Sequence, residues 1–152
     1  MSTLRNPSAE SVRNLFVCNG EESHQVEGLM ALVVDCWGGG GKRKNGVIRR
    51  PSAGNHRWSP EDLDQIVAEV RPRLEAGERV LIHCHSGRSR STTAAAAVLL
   101  DMRVARNPIE AVEMVALGAR VGEAEEPDRR CIVSLRDWWK GRCQQRLFAG
   151  MR

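Results

Sequence analysis

The chain has 152 residues, of which 41% are hydrophobic, and it carries a formal net charge of +4. This length can bury one core and is too short for two ordinary domains, so we expect a single domain over 1–152, with 1–10 polar and loose. No stretch approaches the roughly 18 apolar residues of a membrane span, and the start lacks the apolar core of a signal peptide. These features exclude a membrane-spanning protein and predict a cytoplasmic one.

Short apolar runs at 14–18, 31–37 and 46–50 predict the first three strands. A short helix is expected at 21–29, between the first two strands. The stretch 38–46 then holds four consecutive glycines followed by three cations. This composition indicates a loop, which is either a solvated hairpin or a basic flap that contacts an anionic substrate.

The next segment begins with a helix start signal. Ser59 is the predicted N-cap, Pro60 takes the first helical position, and acids occupy the first turn. Pro72 is expected to kink the helix or end it early, and Gly77 to close it. The apolar residues that recur at helical spacing and predict a buried face are Leu63, Ile66, Val67, Val70 and Leu74.

The second half of the chain continues the alternation of strands and helices. Residues 79–83 form another apolar run, and 91–102 are apolar nearly all round, which predicts a central buried helix. Asn107 is expected to cap a helix through about Leu117, and Pro127 to open a last one. The residues expected to pack that last helix are Ile132, Leu135, Trp138 and Trp139. This order predicts an α/β fold with a small, mostly parallel central sheet flanked by helices.

The clearest chemical signal is the run His83-Cys84-His85-Ser86-Gly87-Arg88-Ser89-Arg90-Ser91, between a predicted strand and the buried helix. In this setting the amides of the loop and of the first helical turn favour a bound anion. A cysteine attacks as its thiolate, which these amides, Arg90 and the Ser91 hydroxyl are placed to stabilise. The planar guanidinium of Arg90 also suits two oxygens of a phosphoryl group. The five cysteines of the chain lack paired CxxC spacing, so we expect reduced thiols and no zinc site.

The run matches the H-C-x5-R-S/T signature of cysteine-dependent protein tyrosine phosphatases, and its G-x-S-R-S ending resembles the dual-specificity branch. The strand segments resemble the same branch, so the resemblance covers roughly residues 12–140. It implies a dual-specificity phosphatase-like fold with no cofactor and no metal. It also implies that Cys84 forms a phosphocysteine, that Arg90 clamps the phosphate and that Ser91 assists hydrolysis of the intermediate. The loop residues that would hold the phosphate oxygens are His85, Ser86, Gly87, Arg88 and Ser89. Rhodanese-like sulfur transferases also place a cysteine loop before a helix, but the arginine six positions after the cysteine argues against them.

One part of the pattern is absent. The family usually carries a general-acid aspartate on the loop after the third strand, and the corresponding loop here, 51–58, contains no acid. His56 and Asp35 are the candidates for that role, whereas Asp62 is expected to cap its helix. Without a general acid, substrates with a good leaving group are favoured, because that loss typically costs about a hundredfold to ten-thousandfold for a poor one.

The expected function is a protein tyrosine or dual-specificity phosphatase that acts, as a monomer, on a phosphorylated protein or another anionic phosphate-bearing substrate. The first alternative is a phosphatase of RNA 5′ ends, phosphoinositides or other polyanionic phosphates, which suits the net positive charge. The second alternative is a module that binds phosphorylated partners without turnover. Cys36, at the end of a predicted core strand, is interpreted as a buried small hydrophobe or as a redox partner of Cys84.

Overall fold

The computed structural model of the protein describes residues 12–38, 45–54, 57–84, 90–119 and 129–150. Its centre is a sheet of four strands with the order β1-β4-β2-β3, in which every pairing is parallel. The strands are β1 (Leu15–Asn19), β2 (Leu32–Asp35), β3 (Gly46–Ile48) and β4 (Val80–Cys84). The predicted parallel sheet is therefore confirmed, with β2 and β3 shorter than expected because the chain turns away after Asp35 and Ile48.

Helices flank this sheet. They are α1 (Gly20–Val26), α2 (Pro60–Glu75), α3 (Arg90–Asp101), α4 (Pro108–Met114) and α5 (Arg129–Gly150). Short 3-10 turns cover Val12–Asn14 and Glu27–Leu29, and a π-helical turn at Val115–Ala119 takes the place of the predicted end of α4. None of the helices in the described ranges has the length and apolar character that crossing a membrane requires.

Helix α2 begins where the sequence predicted. The Ser59 hydroxyl accepts the Asp62 backbone N–H at 3.1 Å, and the Asp62 carboxylate accepts the Ser59 backbone N–H at 2.9 Å. The predicted apolar face from Leu63 to Leu74 is buried. The prediction that the helix ends early at Pro72 is wrong, because the helix continues past it to Glu75. Gly77, whose φ is +79°, follows the C-cap residue Ala76. Pro72 lies in the last turn, where it removes one i→i−4 hydrogen bond, and the burial of Leu74 after it favours continuing the helix.

Helix α3 is the centre of the core. All its residues from Ser91 to Asp101 are buried, as predicted, and it packs against β4, α2, α4 and α5. A smaller apolar cluster on the opposite face of the sheet includes Cys18, Val33 and Leu81, with Val26 of α1 packed against it. Since both faces of the sheet are covered, the residues that can reach a ligand lie at its edges and ends.

Hydrogen bonds and a packed indole hold α5 to the rest of the domain. Leu135 and Trp138 are buried, as expected, whereas Trp139 is only half-buried. The Trp138 indole N–H donates to Asp64 at 2.9 Å, and Arg142 donates to the same carboxylate oxygen at 2.8 Å. Ser134 accepts the backbone N–H of Trp58 at 3.1 Å, so α5 also fixes the end of the 51–58 loop.

Candidate active site

The carboxyl ends of the parallel strands lie at one edge of the sheet, which is where α/β proteins bind ligands. Cys84 is the last residue of β4, a central strand, and Asp35 is the last residue of the neighbouring β2. Asp35 pairs in register with His83. The residues that follow this pair, Cys36 and Cys84, therefore lie at the same level at this edge of the sheet.

The Cys84 side chain is almost fully buried, at 1% exposure, beneath the start of α3. Its sulfur lies 3.2 Å from the hydroxyl oxygen of Ser91, which is itself fully buried. The structure thus brings together two of the predicted catalytic residues. In this arrangement the hydroxyl can donate a hydrogen bond to a thiolate at Cys84.

Arg90 is the first residue of α3, and its guanidinium lies at the turn that follows β2. One nitrogen, Nη1, donates to the backbone carbonyl of Cys36 at 3.5 Å, a long hydrogen bond. No carboxylate in the described part of the chain pairs with Arg90. Among the residues that the structure describes, no acidic side chain therefore competes for its remaining N–H groups.

A tight turn follows β2. Asp35 Oδ1 accepts the backbone N–H groups of Trp37 and Gly38, both at 2.8 Å. Gly38 has a φ of +83°, a left-handed conformation that glycine adopts without strain. Asp35 is 3% exposed, and its other oxygen, Oδ2, has no hydrogen-bond partner among the residues described. Oδ1 lies 4.0 Å from His83 Nε2, beyond hydrogen-bond distance.

The described part of the 51–58 loop contains no acidic side chain and is tied to α2 instead. Asp62 Oδ2 accepts the Ser52 backbone N–H at 2.9 Å and the Ser52 hydroxyl at 2.7 Å. Partial burial raises the pKa of Asp62, but the hydrogen bonds from Ser59 and Ser52 outweigh it and hold the pKa below its usual value. Asp62 is therefore ionised near neutral pH and caps its helix, as predicted.

Two arginines follow β3 at the same edge of the sheet. Arg49 pairs with Glu69 of α2, with Nε 2.9 Å from Oε1, whereas no carboxylate in the described ranges pairs with the exposed Arg50. The Arg50 stem lies against Gly38, because a Cβ at Gly38 would be 3.2 Å from Arg50 Cδ. Both arginines line a pocket of about 160 Å³ between β3 and the start of α2.

The remaining predicted residues divide into two groups. The loop residues His85, Ser86, Gly87, Arg88 and Ser89, together with His56 and the glycine-rich stretch 39–44, lie outside the described residues. Cys36 is fully buried in the core cluster that contains Cys84, as expected of a small core residue, and its role as a redox partner of Cys84 stays a prediction. The Cys36 carbonyl was missed as a partner of Arg90, because a backbone carbonyl is common to every residue and leaves no signal in the sequence.

Comparison with known proteins concerns the fold of the chain. No protein-family model matches the chain. A segment of 63 residues, 40% of the chain, is 43% identical to the effector protein hopD2 of Pseudomonas syringae pv. tomato and spans 13% of that protein's length. The structure is similar to human DUSP28, with a TM-score of 0.73 and 18% identity over 90% of this chain and 98% of that one. It is also similar to PTPMT1 in complex with PI(5)P, with a TM-score of 0.65 and 16% identity over 86% and 90% of the two chains. At these identities the likeness concerns the fold.

Proposed function

We propose that this chain, which has the α/β fold of the dual-specificity phosphatases, hydrolyses phosphate monoesters through a phosphocysteine intermediate on Cys84, as a protein tyrosine or dual-specificity phosphatase. The observation that carries the proposal is the contact of 3.2 Å between the Cys84 sulfur and the Ser91 hydroxyl. This contact joins the end of the central strand β4 to the first turn of the buried helix α3, which begins at Arg90. A thiolate, a hydroxyl donor and a guanidinium at one helix N-terminus are the groups that phosphoryl transfer to sulfur needs.

The proposed reaction has two steps. In the first, the Cys84 thiolate attacks phosphorus, the bond from phosphorus to the ester oxygen breaks, and the leaving oxygen takes a proton from the solvent. In the second, water attacks the phosphocysteine, and the sulfur leaves as a thiolate that the Ser91 hydroxyl can stabilise. Arg90 would hold two phosphate oxygens through both steps.

The environment of the 51–58 loop bears on which esters are cleaved. Asp62 accepts three hydrogen bonds through Oδ2 and has a lowered pKa, so it is a poor proton donor near neutral pH. Aryl phosphates such as phosphotyrosine have a leaving oxygen that needs less protonation than that of alkyl phosphates such as phosphoserine, because a phenol is a stronger acid than an alkanol. We therefore expect a preference for phosphotyrosine among protein substrates.

A second candidate substrate class is a polyanionic phosphate, such as a phosphoinositide or an RNA 5′ end. The observation that favours it is Arg50, an exposed cation that no described carboxylate pairs with and whose stem contacts the turn after β2. PTPMT1, whose solved structure contains PI(5)P, has the same fold. A cation at the turn that also contacts Arg90 would attract a second anionic group of the same substrate.

A substrate panel tests the proposal. The panel compares p-nitrophenyl phosphate, phosphotyrosine and phosphothreonine peptides, triphosphate-ended RNA and phosphoinositide vesicles, with phosphate release as the readout. Cys84→Ser should abolish turnover and still bind tungstate, whereas Cys143→Ser, which changes an exposed thiol on α5, should behave as wild type. Undiminished turnover in Cys84→Ser would exclude the phosphocysteine. Tungstate binding by the wild-type protein without turnover of any substrate would instead support the binding module.

A further inference from the structure

The turn after β2 connects Asp35 to Arg90, although the two residues are far apart in the sequence. The connection passes through the peptide that joins Cys36 to Trp37. The N–H of that peptide donates to Asp35 Oδ1 at 2.8 Å. Its C=O accepts from Arg90 Nη1 at 3.5 Å. One planar unit therefore has Asp35 on one side and Arg90 on the other.

Planarity makes this connection directional. In a trans peptide the N–H and the C=O point in opposite directions, and neither can rotate without the other. When Asp35 fixes the N–H of Trp37, it also directs the carbonyl of Cys36 towards Arg90. Two further bonds restrict the same segment, since Gly38 N–H donates to Asp35 Oδ1 and Cys36 N–H donates to the His83 carbonyl, both at 2.8 Å.

We infer that Asp35 is a positioning residue of the proposed phosphatase site, which fixes the Cys36–Trp37 peptide and so holds the Arg90 guanidinium beside Cys84. The inference rests on the proposed function for its consequence in catalysis, and on the hydrogen bonds alone for its geometry. Asp35 touches neither the substrate nor the sulfur in this role. It acts by limiting the orientations of Arg90 before the phosphate binds, which lowers the entropy lost on binding.

This role differs from that of a general acid in a way that one substitution can separate. A positioning residue only has to accept two N–H bonds, and the carbonyl oxygen of an asparagine accepts them as a carboxylate does. A general acid must carry a proton, which an asparagine cannot transfer. Asp35→Asn should therefore preserve the positioning role and abolish an acid role, while Asp35→Ala removes both.

The first experiment measures kcat and KM for Asp35→Asn and Asp35→Ala with p-nitrophenyl phosphate and with phenyl phosphate, whose leaving group is poorer. We expect Asp35→Asn to stay within about twofold of wild type on both substrates. Asp35→Ala should lower kcat/KM by roughly tenfold to a hundredfold on both, the effect of losing hydrogen bonds to a charged group. A loss in Asp35→Asn that is larger for phenyl phosphate would overturn the inference in favour of a general acid.

The second experiment measures tungstate affinity by calorimetry, which needs no turnover. Asp35→Ala should weaken tungstate binding in the wild-type background. It should cause no further loss of affinity in an Arg90→Lys background, because a lysine lacks the planar guanidinium that the Cys36 carbonyl orients. Equal losses in both backgrounds would show that Asp35 does not act through Arg90. Because this readout is binding, it decides the inference even if the protein proves to lack phosphatase activity.

A control separates positioning from stability. Asp101 is another buried carboxylate, at the far end of α3, where it pairs with Arg71 at 2.8 Å. Asp101→Asn should lower the melting temperature and leave tungstate affinity unchanged. If Asp35→Ala does not fold, Asp35→Ser retains a smaller acceptor and should give an intermediate affinity. If the loss of tungstate affinity is proportional to the loss of melting temperature across all these variants, Asp35 acts through stability and has no positioning role.

Discussion

The sulfur of Cys84 lies 3.2 Å from the hydroxyl oxygen of Ser91, and both side chains are buried between the sheet and α3. The sulfur belongs to the last residue of a strand and the hydroxyl to the second residue of a helix. The strand and the helix are both rigid parts of the core, so the distance between the two groups is fixed by packing. A donor at this distance can favour negative charge on the sulfur, whether in the free enzyme or when phosphate leaves.

Replacing Ser91 by alanine should slow hydrolysis of the phosphocysteine more than its formation. The departing thiolate loses its hydroxyl donor, so we expect kcat to fall about tenfold to a hundredfold. Rapid-mixing kinetics with p-nitrophenyl phosphate should then show a burst of nitrophenol equal to the enzyme concentration. Thr93→Val is the matched control, because Thr93 is buried on the same helix and its hydroxyl has no hydrogen-bond partner among the described residues. A full-rate Ser91→Ala enzyme would contradict the role.

Replacing Asp62 by alanine should destabilise the domain by about 1 kcal/mol at neutral pH, because the capping box and the link to Ser52 are lost. The pKa of Asp62 in the folded protein lies below the ordinary 3.8. The ionised Asp62 therefore contributes its full share of the free energy of unfolding above the ordinary pKa of 3.8. That share is lost as the pH falls through the lower pKa of the folded protein. Urea unfolding of both proteins should show their difference shrinking between neutral pH and about pH 3. Glu61→Ala, at an exposed acid in the same first turn, should cost less and serves as the control.

Replacing Arg50 by glutamine should separate the two substrate classes. Removing this cation should raise KM several-fold for a phosphoinositide or a triphosphate-ended RNA, because a second anionic group loses its partner, and should leave p-nitrophenyl phosphate unchanged. Arg136→Gln, at an exposed cation on α5, controls for net charge. If both variants change KM equally, the effect is one of overall charge, and Arg50 has no specific role.

Replacing Trp138 by phenylalanine should lower stability by about 1 kcal/mol, because Asp64 loses the indole N–H while most of the buried ring remains. Thermal unfolding provides the measurement. Trp139→Phe is the natural control, since Trp139 is half-buried on the same helix and makes no comparable hydrogen bond to Asp64. Equal destabilisation by the two substitutions would show that ring packing, rather than the hydrogen bond, holds α5 in place.

Features set by neighbouring residues were predictable from the sequence. The start of α2 depends on Ser59, Pro60 and Asp62, which lie within one turn of each other, and the capping box formed as expected. The buried character of α3 follows from its composition alone. The error at Pro72 has a different basis, because whether a helix continues past a proline depends on the packing of the residues after it, and here Leu74 is buried in the core.

The sequence by itself determined the order of strands and helices, the place of Cys84 between a strand and a buried helix, and the absence of an acid from residues 51–58. Only the tertiary structure decided which groups meet at that place. The Cys36 carbonyl and Arg90 are 54 positions apart and come together because β2 and β4 are neighbours in the sheet. A backbone carbonyl is common to every residue, so no sequence pattern marks the one that an arginine contacts. Strand pairing and the planarity of the peptide bond select it.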